Sequence, residues 1–266
     1  MAEASTSNWV GQRTYLAFGF TMEFRWSDPS LEPAVRYAKL IDWAECNETT
    51  PDTVFSLWKD PEGIFVQRDL EPKTKLGRGV RLPEFLKREA HSYLATKAPD
   101  FLFVHAGVVL SPSGLIVLPG RSWAGKSTLV RALVAQGCRY YSDEFAVIRS
   151  DALVLPFPRA LCLRSQSGTE THIPPTELGW NPELGPAKVA AVICTSYVEG
   201  YRWKPQPIKP GAAILEMVAN TVSAQTSAEK VLRLLPMVAL ESQNFSGARG
   251  EAAETASLIL DQLSQG

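Results

Sequence analysis

Nine consecutive residues constrain this chain more than any others: Gly120-Arg121-Ser122-Trp123-Ala124-Gly125-Lys126-Ser127-Thr128 satisfies G-x-x-x-x-G-K-[ST] at every fixed position. Phosphate oxygens need many donors at short range. Backbone N–H groups converging from a tight loop onto a helix N-terminus supply them, together with the favourable end of the helix dipole. Glycines are required where a side chain would block that approach. The apolar run Leu115-Ile116-Val117-Leu118 leads into the loop, and the periodic pairs Leu129-Val130 and Leu133-Val134 follow it. The pattern therefore predicts strand, loop and helix in that order, and a nucleoside triphosphate, ATP, held by residues 120 to 128.

Composition sets the surroundings. A chain of 266 residues that is 45% hydrophobic can bury one large or two small cores. A formal net charge of −1 argues against a general nucleic-acid binder, so no nucleic-acid partner is expected. The opening residues lack a basic region followed by an apolar one, and no stretch is apolar for the length of a membrane span. A cytoplasmic protein without a membrane partner is the expectation, and association with further copies of itself stays open. Cys46, Cys138, Cys162 and Cys194 show no C-x-x-C spacing and read as reduced, mostly buried thiols. His91 and His172 have no companions at ligand spacing, so no metal beyond magnesium is expected.

Along the chain, Tyr15 to Trp26 alternates like a strand, Leu31 to Trp43 reads as a helix, and Thr53 to Trp58 with Gly63 to Arg68 as a hairpin. Asp69 to Gly79, rich in charge, Pro and Gly, reads as a linker. Arg68 to Arg88 carries seven Lys/Arg against three acids, either a solvated face or a dock for an acidic partner. Leu82 to Thr96 has helical spacing. From Phe101 the texture changes to apolar strands: Phe101 to Leu110 and Leu115 to Leu118 around the turn Ser111-Pro112-Ser113-Gly114, then Arg139 to Ser142, Phe145 to Ile148, Leu153 to Leu155, Ala160 to Arg164 and Val189 to Tyr197. Helices are expected at Ala212 to Val222, Ala228 to Leu235 and Glu251 to Leu263. The parse is an α/β chain: a small N-terminal α/β domain, 1–98, and a P-loop domain with a mixed sheet, 99–266.

Within the loop, Lys126 has the reach and charge for the β- and γ-phosphates, and the Ser127 hydroxyl is the expected Mg²⁺ ligand. Asp143-Glu144 follows Lys126 by 17 residues, enough for one helix and one adjacent strand returning beside the loop. Adjacent carboxylates at a strand end can divide the labour, one accepting the proton of an attacking hydroxyl and one holding Mg²⁺. His105 interrupts an apolar strand that should adjoin the loop, as either a hydrogen-bonded core residue or an acid–base group. Arg159 and Arg164 could each place a guanidinium on a transferring phosphoryl group.

Assembled in order, the His105 strand, the loop GRSWAGKST and Tyr141-Ser142-Asp143-Glu144 resemble the HPr kinase/phosphatase-like P-loop kinases, whose nucleotide domain is related to that of phosphoenolpyruvate carboxykinase. The resemblance covers Phe101 to Arg164. Leu155-Pro156-Phe157-Pro158-Arg159-Ala160-Leu161 resembles the proline-arginine stretch of the stand-alone HPr-kinase-related subfamily, some of whose members phosphorylate the C-terminal serine of lasso precursor peptides. The resemblance implies a serine kinase acting on a peptide or small protein, with Asp143 as catalytic base and Glu144 as a magnesium-associated acid. Trp123 stands where the family usually has a second loop glycine. The Glu-Ile-Arg-Gly signature of true HPr kinase/phosphatases is absent near Cys162-Leu163-Arg164-Ser165, which argues against a phosphatase back-reaction and against HPr as substrate. A small-molecule kinase, or a nucleotide-binding regulatory module without transfer activity, are the competing readings.

Overall fold

The computed structural model describes residues 8–121, 124–164, 170–222 and 224–265. The chain divides into two compact units, residues 1–99 and 100–266, one residue beyond the boundary expected from the sequence.

The first unit is a six-stranded sheet with two helices. Its elements are β1 (Gly11–Ala17), β2 (Phe20–Trp26), α1 (Glu32–Ala38), β3 (Ala44–Cys46), β4 (Thr53–Asp60), β5 (Gly63–Arg68), β6 (Thr74–Lys75) and α2 (Leu82–Lys97), with strand order β3-β1-β2-β4-β5-β6. Inward positions alternate as a one-face-buried sheet requires: Met22, Phe24, Phe55 and Leu57 lie in the core with Leu86 and Leu94 of α2. Phe24 and Phe55, partners across β2 and β4, stack with ring centroids 5.1 Å apart. His91 is a core residue whose Nε2–H donates to the Ala38 carbonyl at 2.9 Å.

Three expectations are corrected in this unit. Tyr15 to Trp26 is two antiparallel strands, turning at Phe18-Gly19 with both φ values positive. The helix expected from Leu31 to Trp43 stops at Ala38, because Lys39 is already extended. The expected linker Asp69 to Gly79 contains β6, paired with β5. The basic stretch is largely partnered at home: Arg68 bonds Glu71 and lies over Tyr93, Lys73 lies over Trp58, and Arg81 pairs with Glu84.

The second unit contains β7 (Phe101–Ser111), β8 (Gly114–Pro119), α3 (Lys126–Ala135), β9 (Arg139–Ser142), β10 (Phe145–Arg149), β11 (Val154–Leu155), β12 (Leu161–Arg164), β13 (Glu170–Ile173), β14 (Val189–Tyr197), β15 (Gln206–Pro207), α4 (Pro210–Ala219), α5 (Ala228–Glu241), β16 (Gln243–Arg249) and α6 (Ala252–Ser264). Its main sheet is mixed, in the order β11-β10-β7-β8-β14-β16-β15, with β9 also paired to β7. Strands β8, β14 and β16 run parallel, so their carboxyl ends share one edge. Alternation along each strand feeds two cores. Leu115, Val117, Val192 and Cys194 meet α4 and α5 on one face. Ile116, Leu118, Ala191 and Ile193 meet Leu129, Leu133, Ile259 and Leu263 of α3 and α6 on the other. The result is a three-layer α/β/α sandwich.

Strand β16 is absent from the sequence reading, as are β13 and β15. Helix α5 continues through Pro236 to Glu241, past the end expected at Leu235. Its apolar stripe of Val231, Leu234, Leu235, Val238 and Ala239 runs on beyond the proline, and burial of that stripe offsets the lost backbone bond. Among the described residues no helix is long and apolar enough to cross a membrane.

Candidate active site

The candidate site lies at the carboxyl edge of the parallel strands, where open α/β sheets take their ligands. Strand β8 ends at Pro119, and the chain turns through Gly120 and Arg121 before Ala124 and Gly125 open helix α3. Gly125 has φ 77°, a left-handed conformation that strains any side chain. Among the described residues no side chain caps α3, whose first N–H groups have no partner within the helix. Lys126 Nζ donates to the Arg121 carbonyl at 2.8 Å, folding the ammonium back over the loop. Burial lowers the Lys126 pKa, with Asp143 and Glu144 pulling it back up. Thr128 points to the exposed side of the helix. Ser122 and Trp123 lie outside the described residues.

The expected acidic pair sits at the carboxyl end of β9. Ser142, wholly buried, makes this turn: its Oγ accepts from the N–H groups of Glu144 and Phe145 at 3.0 and 2.9 Å. The two acids are thereby sent to different partners. Asp143 Oδ2 accepts from the Ser127 hydroxyl at 2.7 Å, while Asp143 Oδ1 is buried with no hydrogen-bond partner among the described residues. Burial raises the Asp143 pKa to about 6, against the opposing effects of Ser127 and Lys126.

Glu144 turns the other way. Its Oε2 forms an ion pair with Arg159, and its Oε1 lies 3.9 Å from His105 Nε2. Arg159, expected as a guanidinium aimed at a phosphoryl group, is thus committed to Glu144. The acid that touches the expected magnesium ligand Ser127 is Asp143, not Glu144. Arg159 is held in place by its own backbone, whose carbonyl accepts from the buried Tyr140 hydroxyl at 2.7 Å, and by Phe157, packed edge-on to Phe145 at 5.2 Å. The side chain of Arg164 is outside the described residues.

His105 stands opposite Phe145 in the β7–β10 pairing. Its Nδ1 lies 2.7 Å from the Gly120 carbonyl, which can only accept, so the proton is on Nδ1 and Nε2 presents a lone pair toward Glu144. Burial and then Lys126 lower the His105 pKa. His105 is therefore hydrogen-bonded to the loop through Nδ1, with Nε2 on the side of Glu144.

One residue of the site has no counterpart in the sequence analysis. Arg249, at the carboxyl end of β16, is 2% exposed. Its Nη2 donates to the Gly125 carbonyl at 2.8 Å and its Nη1 to the Gly250 carbonyl at 2.9 Å. Burial lowers its pKa. Among the described residues no carboxylate forms an ion pair with it, and its guanidinium lies against the Gly125 carbonyl at the start of α3. Only the pairing of β16 beside β14 brings it there.

The group as a whole offers a helix N-terminus, an ammonium, a buried guanidinium, a hydroxyl and a buried carboxylate oxygen on one edge of one sheet. No protein-family model matches the chain, and no curated protein matches it either.

Proposed function

We propose that this protein is an ATP-dependent, magnesium-requiring kinase that phosphorylates a serine hydroxyl of a peptide or small protein. The observation that carries the reading is the Ser127–Asp143 contact at 2.7 Å beside a buried, unpartnered Asp143 Oδ1. Burying a carboxylate oxygen without a donor costs several kcal/mol unless a cation or a proton donor completes it. The oxygen-only set of Ser127 and Asp143 fits a hard cation such as Mg²⁺, and the left-handed Gly125 with uncapped α3 fits a polyphosphate.

When bound, magnesium and the triphosphate supply a phosphoryl group whose developing charge is shared with the cation. The chain's part is positioning and proton transfer. Gly120 and Gly125 keep the loop open to phosphate oxygens, and Lys126 exchanges the Arg121 carbonyl for them. Ser127 and Asp143 Oδ2 hold the cation side. Asp143 Oδ1 accepts the serine proton as the new O–P bond forms and the β–γ bridge breaks. Glu144, held by Arg159, fixes the far wall of the site. The reading also includes a reducing, cytoplasmic setting, in keeping with four cysteines that form no disulfide among the described residues.

The Asp143–Ser127 bond favours a second assignment, in which Asp143 serves the cation alone and His105 Nε2 takes the proton. Nucleotide binding and turnover of Lys126→Ala and Asp143→Asn decide the matter. Loss of one charge contact at Lys126 is expected to cost about 10²–10³ in rate. Near-native turnover in Lys126→Ala, free of contaminating kinase, overturns the kinase reading. Loss of magnesium-dependent nucleotide binding in Asp143→Asn, with transfer persisting, moves the base to His105.

A further inference from the structure

We propose that Cys162, Glu170 and His172 form a site for a thiophilic divalent cation, zinc above all, separate from the magnesium side of the phosphate loop. The three residues belong to the antiparallel ribbon β12–β13, in which Cys162 faces His172 directly and Arg164 faces Glu170. Alternation gives the ribbon two unlike faces. Leu161, Leu163 and Ile173 go inward, into the core built by α3 and α6. Cys162, His172 and Glu170 share the opposite face.

On that face the ligating atoms of the three side chains all lie within 4.8 Å of one another, and His172 Nε2 is 3.7 Å from Glu170 Oε2. Zinc bonds of about 2.0–2.3 Å in a tetrahedron set ligand atoms roughly 3.3–3.8 Å apart. The imidazole–carboxylate separation already meets this, and the sulfur reaches it by a small rotation about exposed or half-buried side-chain bonds. The donor set is one sulfur, one nitrogen and one oxygen. Thiolate and imidazole together select zinc or cobalt over magnesium and calcium, which take oxygen ligands, so the two candidate centres of this unit differ in the ions they accept. Three protein ligands leave the fourth tetrahedral position to water. Binding converts the Cys162 thiol to thiolate and releases one proton to solvent. The ion would join the two strands on their outer face, on the side away from α3.

The test uses the full chain, reduced and stripped of metal, titrated with Co²⁺ and then with Zn²⁺. One equivalent of Co²⁺ is expected to bind with a thiolate-to-cobalt charge-transfer band, and Zn²⁺ to abolish the band by displacement. Cys162→Ser should remove the band. His172→Ala and Glu170→Gln, both at partly exposed positions, should retain the fold by circular dichroism and weaken Co²⁺ binding tenfold or more. No charge-transfer band in the unaltered protein overturns the proposal, and so does a band that survives in Cys162→Ser but is lost in Cys46→Ser. The readout involves no phosphoryl transfer, so it stands or falls apart from the kinase reading.

Discussion

Arg249 donates from Nη2 to the carbonyl of Gly125 at 2.8 Å, across 124 residues of sequence. A Cβ on Gly125 would come within 2.4 Å of that same nitrogen, so a side chain there would have to displace the guanidinium, in addition to the strain of a φ of 77°.

Arg249→Met is therefore expected to leave the buried Gly250 carbonyl without its side-chain donor, at about 1–3 kcal/mol, to leave the Gly125 carbonyl with only the Leu129 N–H, and to weaken nucleotide binding. Gly125→Ala should lose nucleotide affinity more severely. Combining Gly125→Ala with Arg249→Met should recover part of that loss by removing the clash, while the left-handed strain of about 1–2 kcal/mol stays. Nucleotide titration of the four proteins measures the coupling. Strictly additive losses would mean that the two residues do not act on one another.

Asp143→Asn separates chemistry from stability. Loss of the proton acceptor is expected to cost about 10²–10⁴ in turnover, while the amide oxygen can still accept from Ser127. Stability should move the other way. Burial raises the folded-state pKa from 3.8 to about 6, so ionisation of this carboxyl disfavours the folded state. In magnesium-free buffer its contribution is greatest below about pH 4, declines as pH rises through about 6, and levels off about 3 kcal/mol lower. The asparagine variant lacks this decline, and so gains on the parent protein at pH 8 relative to pH 4. Urea unfolding at both pH values checks it; an equal difference at the two would show that Asp143 is already balanced by its neighbours.

The thiols should fall into two classes. Burial pushes Cys138 up to about 11 and Cys194 up to about 12, so neither carries appreciable thiolate at pH 8. Alkylation of the native protein followed by mass spectrometry should label only Cys46 and Cys162, and all four after denaturation. Native labelling of Cys138 as fast as Cys46 would contradict its burial.

A fragment spanning residues 100–266 is expected to bind nucleotide, since every residue of the candidate site lies within that unit. Seizing a flexible peptide takes further surface and costs ordering entropy. The fragment should accordingly phosphorylate a peptide serine with a raised KM, measured by steady-state kinetics with circular dichroism to verify folding. An unchanged KM would assign acceptor recognition to the second unit alone.

Much of this architecture could be read before any coordinates, for identifiable reasons. Strand, loop and helix around Gly120 to Thr128 follow from local requirements of glycine placement and periodicity. The β7–β8 hairpin announces itself by Ser111-Pro112-Ser113-Gly114. Asp143 at a strand end follows from the spacing after Lys126. What stayed hidden depends on pairing between distant segments. Strand β16, Gln243-Asn244-Phe245-Ser246-Gly247-Ala248-Arg249, is mostly polar and small-residued, so no apolar alternation marks it. Cys162 and His172 look unrelated until the ribbon sets them face to face. The Phe18-Gly19 turn lacks the Asn-Gly or Asp-Gly pair that usually announces a two-residue hairpin.

The late arrival of β16 bears on how the protein is made. Ribosomes release a chain from its N-terminus onward, and domains fold as units while synthesis proceeds. The loop from Gly120 to Thr128 emerges long before Arg249, whose strand must then be accepted alongside β14. A nascent chain in that interval carries the complete loop sequence without the guanidinium beneath it. On the proposed reading, full competence to hold a triphosphate is thus deferred until β16 has been made and paired.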